Sequence, residues 1–420
     1  MPIVLGRRWT LRVLIGAMLP LLVPLALGNG ATAAATMGAD EPGPAMLTSS
    51  IDRVNALSCY GDPEYAARPP VLLVPGTSVT PLENWDPSYL PVLLERGHAV
   101  CLVWLPALGT KDVQANVEYV ATAIRTLAGW SSRRMSIIGH SQGALLPLVA
   151  LRTWPDLAAH VDDVVGVAGV YDHGSADIAR TCATRCLPAL HQVAAGSAFL
   201  DHIGRRPLPP GPSYTNIGTR DDQTITPQPA ANEQPGTTSI IVESVCPGRT
   251  IPAPEHAMII GDAVALSLVV DALDHPGAAD EQRFDQATCA EQHYPEFDAA
   301  RFLGAAGSPS PGMAAPVAEE PPLYCRVTAD CRSPRLRGYL IARTSYAVGR
   351  KRVTVGIIAQ LPGRLRVTLG DRTVTLSVRP GPVVLQLRRP AERKRLRIKT
   401  RPLYYTAWAT EAGRSVPGRR

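Results

Sequence analysis

The sequence predicts an α/β protein in which a doubly wound, mostly parallel sheet is followed by a small all-β domain. Between residues 70 and 270, short β-branched or leucine-rich runs alternate with longer helical patterns, as in a parallel sheet covered by helices. Beyond Cys331, short strand-like runs are separated by Gly and Pro turns. With 420 residues, of which 45% are apolar and 19% charged, the chain can bury a core in each of two domains.

Residues 1–33 have the three parts of a secretory signal peptide. Arg7, Arg8 and Arg12 form a basic start, residues 13–27 are an apolar run, and small residues follow as far as Ala33. A transmembrane anchor is the alternative, but the apolar run is shorter than the roughly 20 residues that span a bilayer. We therefore expect the mature chain to be secreted to the extracellular side.

The chain has eight cysteines, an even number, which in an exported protein predicts disulfides. Cys182 and Cys186 could form half of a zinc site, but no second pair of Cys or His residues stands at ligand spacing. The sequence alone does not pair the cysteines. We expect neither a metal nor another cofactor.

The predicted first domain spans residues 34–303, with strand-like runs at residues 71–74, 99–104, 135–138, 164–168, 214–218 and 239–244. Residues 113–127 and 143–153 have the helical period. Residues 174–212 interrupt this alternation and contain an apolar, helix-like stretch at 187–203. This segment predicts either a lid over a site or a plain pair of structural helices.

Residues 304–331 begin with a stretch rich in Gly, Ala, Ser and Pro and predict a linker. Residues 332–420 predict an immunoglobulin-like β-sandwich, with strand-like runs at residues 338–345, 352–360, 364–369, 373–378, 383–387, 395–399 and 403–410. From Arg332 onward the chain has 22 of its 42 Lys and Arg residues but only 3 of its 36 Asp and Glu residues. This last domain therefore carries a net +19, and the rest of the chain a net −13.

The pentapeptide Gly139-His140-Ser141-Gln142-Gly143 follows a predicted strand and precedes a predicted helix. This strand-turn-helix context is the one that a nucleophile elbow requires. The glycines suit a turn too tight for side chains, and Ser141 would be held in a strained, exposed position. A motif of this form also arises by chance, but its context predicts Ser141 as a nucleophile and His140 as a wall of the pocket.

A serine hydroxyl needs a base within hydrogen-bond reach and a carboxylate that orients the base. His256 follows the last predicted strand of the first domain, and Asp221 and Asp222 both follow the strand at residues 214–218. Ser141, an aspartate and His256 thus occur in the chain order that this type of hydrolase uses. His173 and His202 flank the segment 174–212 and are minor candidates for the base.

The developing oxyanion needs hydrogen-bond donors as well. We expect the backbone N–H of Gln142, which follows the nucleophile, and a donor from the loop after the first strand of the parallel sheet, where Thr77 is the candidate. Taken alone, the sequence Pro75-Gly76-Thr77-Ser78 would indicate an ordinary Pro-Gly turn.

Four segments resemble the α/β-hydrolases of the Candida antarctica lipase B kind and their bacterial secreted relatives. They are residues 72–77, 116–119, 140–143 and 222–227, and the resemblance covers residues 51–289. It implies Ser141 as nucleophile, Asp222 rather than Asp221 as the acid, and His256 as the base. It also implies Thr77 and Gln142 as the oxyanion residues.

The same resemblance implies disulfides between Cys59 and Cys101 and between Cys246 and Cys289. Cys182 with Cys186 and Cys325 with Cys331 are then the remaining pairs. The chain departs from the family in two places: His140 stands where the lipase has tryptophan, and Val170 where it has aspartate. The selectivity of the family's alcohol pocket is therefore not carried over, and the β-sandwich has no counterpart there.

The function predicted from these features is that of a secreted triacylglycerol lipase that works through an acyl-enzyme. A carboxylesterase or a polyester or cutin hydrolase would use the same residues. A protein of another class is the further alternative, in which the basic domain binds an anionic cell envelope or lipid surface and the first domain is a scaffold. We expect a lipid or other ester as substrate, no nucleic acid partner, and a monomer.

Overall fold

A computed structural model describes residues 43–306, residues 312–324 and seven strands between residues 341 and 415. The predicted signal peptide, residues 1–33, lies outside the described residues, as does the predicted disulfide between Cys325 and Cys331. Within residues 43–306 and 312–324, no helix combines the length and the apolar character that crossing a bilayer requires.

A seven-stranded sheet forms the centre of the first domain, in the order β1-β3-β2-β4-β5-β6-β7. The edge strand β1 pairs antiparallel with β3, and the other strands are parallel, which confirms the predicted mostly parallel sheet. The strands are β1 (Leu57–Tyr60), β2 (Arg68–Val74), β3 (His98–Val103), β4 (Met135–His140), β5 (Val161–Val167), β6 (Ser213–Gly218) and β7 (Thr238–Ile241).

Two details differ from the predicted strands. The strand β1 was not predicted, because its sequence Leu-Ser-Cys-Tyr alternates half-buried and exposed positions at the sheet edge and contains no apolar run. The run predicted at residues 239–244 is wrong in its second half, since β7 ends at Ile241 and a helix starts at Val242.

Helices cover both faces of the sheet, which is why alternate residues of β2 and β4 are buried in two separate clusters. Leu72 and Ile137 belong to one cluster, and Leu73 and Ile138 to the other. The helices are α1 (Ser50–Asn55), α2 (Pro81–Trp85), α3 (Tyr89–Glu95), α4 (Val113–Trp130), α5 (Gln142–Thr153), α6 (Ala176–Thr181), α7 (Pro188–Val193), α8 (Ala198–Ile203), α9 (Val242–Val245), α10 (Glu255–Met258), α11 (Ala263–Asp274) and α12 (Ala299–Ala306). Short 3₁₀ turns cover Pro155–His160, Ala230–Asn232, Ile259–Gly261, Glu281–Arg283 and Gln286–Ala290.

Residues 174–212 contain α6, α7 and α8, which we call the cap segment. The apolar stretch predicted as one helix-like unit at residues 187–203 is two short helices, α7 and α8. They are separated by Gly196, whose φ of +78° does not continue a right-handed helix.

Residues 312–324, which we call the strap, lie in the predicted linker but are bonded to the first domain. Val317 and Cys186 exchange two backbone hydrogen bonds. The Glu320 carboxylate accepts from the backbone N–H groups of Ala198 and Phe199, both at 2.9 Å. The strap therefore runs along the cap segment rather than forming a free spacer.

The C-terminal part contains antiparallel strands in two sheets, ordered β11-β10-β13-β14 and β12-β9-β8. The strand Arg397–Tyr404 joins the ends of two predicted runs, and residues 405–410 lie outside the described residues. The immunoglobulin-like sandwich stays a prediction. The strands are β8 (Ile341–Val348), β9 (Arg352–Ala359), β10 (Gly363–Leu369), β11 (Arg372–Val378), β12 (Gly381–Arg388), β13 (Arg397–Tyr404) and β14 (Arg414–Ser415).

Candidate active site

Ser141 occupies the sharp turn between β4 and α5, with φ 55° and ψ −125°. A non-glycine residue is sterically strained at positive φ, and such residues concentrate at functional sites. The turn is too tight for side chains at its flanks. A Cβ on Gly139 would lie 2.1 Å from the Gly143 carbonyl oxygen, and one on Gly143 would lie 2.3 Å from the Val74 carbonyl oxygen.

His256, at the start of α10, links the serine to a carboxylate. Its Nε2 lies 2.9 Å from Ser141 Oγ, and its Nδ1 lies 2.8 Å from Asp222 Oδ2. Both are ordinary hydrogen-bond distances. With Nδ1–H donating to the carboxylate, Nε2 is left unprotonated and can accept the serine proton.

The Asp222 carboxylate is held by its own turn. Its other oxygen accepts from the backbone N–H groups of Thr224 and Ile225, both at 2.8 Å, and the residue is only 3% exposed. Asp221 instead accepts from the Ile251 N–H at 3.1 Å. The structure therefore brings Asp222, and not its neighbour, to His256.

The prediction that His140 forms a wall of the pocket is wrong. Its ring is buried beneath the candidate base: Nε2 lies 3.0 Å from the His256 carbonyl oxygen, and Nδ1 lies 3.3 Å from Asn84 Oδ1. Burial, together with the nearby positive charge that His256 can carry, lowers the pKa of His140 to about 3. A neutral imidazole has one N–H, so when Nε2 donates to the His256 carbonyl oxygen, Nδ1 faces Asn84 Oδ1 as a second acceptor and makes no hydrogen bond with it.

Thr77 and Gln142 line the same cavity as Ser141 and His256. Gln142 is the first residue of α5, so its backbone N–H has no partner within the helix. Its side-chain Nε2 donates to Thr77 Oγ1 at 2.7 Å. The structure thus places both predicted oxyanion residues beside the serine, and neither His173 nor His202 lines this cavity.

The cavity at Ser141 has a volume of about 200 Å³. The apolar part of its wall comes from three regions of the chain: the loop after β5 supplies Val170, the cap segment supplies Ile178, Leu190 and Val193, and the loop after Asp222 supplies Ile225. Val170 stands where the resemblance expects an aspartate, so this wall carries no charge at that position. Such a lining accepts an apolar substituent next to Ser141.

Three of the four predicted disulfides are present: Cys59–Cys101 and Cys246–Cys289, which the resemblance implied, and Cys182–Cys186. The first joins β1 to β3, the second lies in the cap segment, and the third joins the residue after α9 to the 3₁₀ turn Gln286–Ala290. All six cysteines in the described part of the chain are therefore paired.

The sequence did not single out Asn116 as a functional residue, although it lies in one of the segments that carry the resemblance. It is fully buried on α4, and its side-chain nitrogen donates to the side chain of Gln142 at 2.8 Å. An uncharged polar residue on the buried face of a helix is the only signal that could have pointed to it.

No protein-family model matches the chain. Over 181 residues it is 28% identical to lipase B of Pseudozyma antarctica; the match covers 41% of this chain and 51% of that protein. The chain thus spans about half the length of this relative. The crystal structure of Aspergillus fumigatus lipase B superposes with a TM-score of 0.61 and 23% identity, covering 69% of this chain and 74% of that one. The predicted resemblance is confirmed: the chain has an α/β-hydrolase fold and is similar in sequence to lipase B of Pseudozyma antarctica.

Proposed function

We propose that the chain is a secreted serine ester hydrolase, specifically a triacylglycerol lipase. One observation supports this most directly: Ser141 is hydrogen-bonded to His256, and His256 to Asp222. Ser141 and His256 also line a cavity whose wall is partly apolar. Nucleophile, base and orienting acid at these distances are what acyl transfer requires.

In the proposed mechanism, Ser141 Oγ attacks the ester carbonyl carbon while its proton passes to His256 Nε2. Asp222 stabilises the resulting imidazolium, and the Thr77 hydroxyl and the Gln142 backbone N–H stabilise the negative oxygen. The bond to the alcohol oxygen then breaks, and that oxygen takes the proton from His256. A water molecule then attacks the carbonyl carbon of the acyl-enzyme and gives its proton to His256. The bond to Ser141 Oγ breaks, Oγ takes the proton back from His256, and the carboxylic acid product leaves.

Lipase is preferred to carboxylesterase and to polyester or cutin hydrolase because two relatives are named lipase B and the cavity wall is apolar. Rates on emulsified triglyceride, soluble short esters and polyester films separate the three. A lipase turns over the emulsion faster than a soluble ester of the same acyl length.

The Ser141→Ala variant tests the assignment of the nucleophile. Removing the Ser141 hydroxyl should lower kcat on p-nitrophenyl esters by on the order of 10⁶-fold. Ser132→Ala, at an exposed serine, is the matched control and should keep full activity. Undiminished turnover by Ser141→Ala would overturn the proposal. Secretion is tested separately, because the exported chain should begin near residue 34.

A second proposal concerns the basic C-terminal domain, whose net charge of +19 favours anionic polymers or lipid head groups. A chain that ends at residue 331 keeps the strap and should sediment less with cell envelopes at low salt than the full chain does. Equal sedimentation of the two chains would exclude envelope binding by this domain.

A further inference from the structure

A chain of buried side-chain amides lies behind the proposed oxyanion residues. Asn116 Nδ2 donates to Gln142 Oε1 at 2.8 Å, and Gln142 Nε2 donates to Thr77 Oγ1 at 2.7 Å. Asn116 is 0% and Gln142 1% exposed, so water does not compete for these bonds. Two amides thus connect α4 to the threonine hydroxyl at the cavity.

The carbonyl of Gly109 fixes the direction of both amides. It accepts from Asn116 Nδ2 at 2.9 Å and from Gln142 Nε2 at 3.1 Å. A carbonyl oxygen can only accept, so each amide must turn its nitrogen towards it. Turning either amide over would place two acceptor oxygens against each other in a buried site.

Gly109 is presented by a strained turn. Ala107 and Leu108, neither of them glycine, have φ values of 49° and 59°. Both residues are sterically strained at positive φ, and such strain persists where the surrounding structure imposes it. Asn116 also has a cost of its own, because its Oδ1 is buried without a partner among the described residues. Neither feature is expected of a segment that is optimised for stability alone.

This arrangement controls the proton of Thr77. Because Gln142 Nε2 donates to Thr77 Oγ1, the hydroxyl oxygen accepts from behind, and its own hydrogen is free to point into the cavity. If the Gln142 amide were turned over, its Oε1 would face Thr77 Oγ1. The hydroxyl would then donate to that oxygen and would be lost to the substrate.

We propose that Asn116 is a positioning residue, which holds the Gln142 amide so that the Thr77 hydroxyl donates to the oxyanion. The inference rests on the proposed ester-hydrolase function. Asn116 does not touch the substrate, and it acts through Gln142 on a bond that strengthens as negative charge develops.

The test compares Asn116→Leu, which removes the donor, with Thr77→Val, which removes the hydroxyl but keeps the backbone N–H. Each should lower kcat on p-nitrophenyl butyrate by about 10- to 100-fold with KM changed less than twofold, because the lost bond belongs to the transition state. The double variant should lose no more than either single variant, since both remove the same hydrogen bond. Asn116→Asp has a similar volume and, as a carboxylate, also lacks the donor to Gln142, so it should lower kcat as Asn116→Leu does.

Gln114→Leu is the matched control, since it removes another buried amide from α4, one that contacts Asp112 and the strap. It should keep kcat. A trifluoromethyl ketone, which forms a tetrahedral oxyanion on the serine, is a second readout. Its inhibition constant should rise in Asn116→Leu by the factor lost from kcat/KM, while Gln114→Leu should bind it normally.

The outcomes separate this inference from the function on which it rests. If Ser141→Ala keeps its turnover, the proposed function fails. If Ser141→Ala is inactive but Asn116→Leu behaves like Gln114→Leu, the function stands and the positioning role is refuted. Additive losses in the double variant, or an unchanged kcat in Thr77→Val, also refute it.

Discussion

Replacing His140 should change how the stability of the protein depends on pH. Burial lowers the pKa of His140 from 6.5 to about 3. Between these two values the unfolded chain binds a proton that the folded chain does not bind. The free energy of unfolding therefore falls as the pH decreases below 6.5, by about 1.4 kcal/mol per pH unit. The contribution is fully present above pH 6.5 and is about 2 kcal/mol smaller at pH 5.

His140→Gln removes this titration while keeping a side-chain N–H that can reach the His256 carbonyl. Between pH 7.5 and pH 5, the variant should lose about 2 kcal/mol less unfolding free energy than the parent. Urea unfolding followed by tryptophan fluorescence at four pH values measures the difference. His160→Gln, at an exposed position, is the matched control for the same substitution.

Equal losses of stability in the parent and in His140→Gln would refute this reasoning. A direct measurement is available as well, because the ring nitrogens of a neutral and a charged histidine have different NMR shifts. In the parent, His140 should stay neutral down to about pH 4, in keeping with a folded pKa near 3. A midpoint near 6.5 would show that the ring is not held in a dry, neutral state.

Two further predictions concern buried carboxylates. Asp222→Asn should lower kcat by about 10⁴-fold with little change in melting temperature, whereas Asp221→Asn should keep ester turnover, because only Asp222 contacts the base. Arg249→Met should lower the free energy of unfolding, measured by thermal unfolding, by about 3–5 kcal/mol, because it leaves the Asp262 carboxylate buried without its cation. Arg283→Met breaks a partly exposed pair and should lower the free energy of unfolding far less than Arg249→Met does; equal losses for the two arginines would contradict the role assigned to burial.

The central strands could be predicted from the sequence because both of their faces are buried. β3 and β4 are buried at all six of their positions, so apolar residues dominate their sequences: residues 99–103 in β3, and Met135, Ile137 and Ile138 in β4. The edge strand β1 has one neighbour and carries no such run, so nothing in its four residues separates it from a loop. The other edge strand, β7, was predicted because it ends in the buried Ile240 and Ile241, so local patterns miss an edge strand only where it lacks an apolar run.

The candidate site was predictable where one local pattern or the chain order defined a residue. Ser141 follows from its pentapeptide, and His256 follows from its place after the last strand of the sheet. Asp221 and Asp222 are adjacent in the same turn, so chain order does not separate them; the resemblance implied Asp222, which is the one that bonds to Thr224, Ile225 and His256. Those bonds depend on backbone geometry, which residue types do not encode.

The errors at His140 and Asn116 have a different origin. The direction in which His140 points depends on how sharply the chain turns at Ser141. Its hydrogen-bond partner, the carbonyl oxygen of His256, lies 116 residues away along the chain. Asn116 lies 26 residues from Gln142, and the role proposed for it depends on a third residue, Gly109, whose carbonyl accepts from both amides. Contacts of this kind are created by packing α4 and α5 against the sheet, so no spacing in the sequence indicates them.

The strap illustrates the same limit for domain boundaries. Its Pro- and Ala-rich composition indicates a segment without regular secondary structure, and that much is correct, but it does not indicate a segment without contacts. Glu320 caps the first turn of α8, and Val317 pairs with Cys186, so the strap supports the cap segment whose residues Leu190 and Val193 line the cavity. Ending the chain at residue 306 would therefore unpair the start of α8 and loosen a wall of the candidate site, whereas ending it at residue 331 would leave both in place.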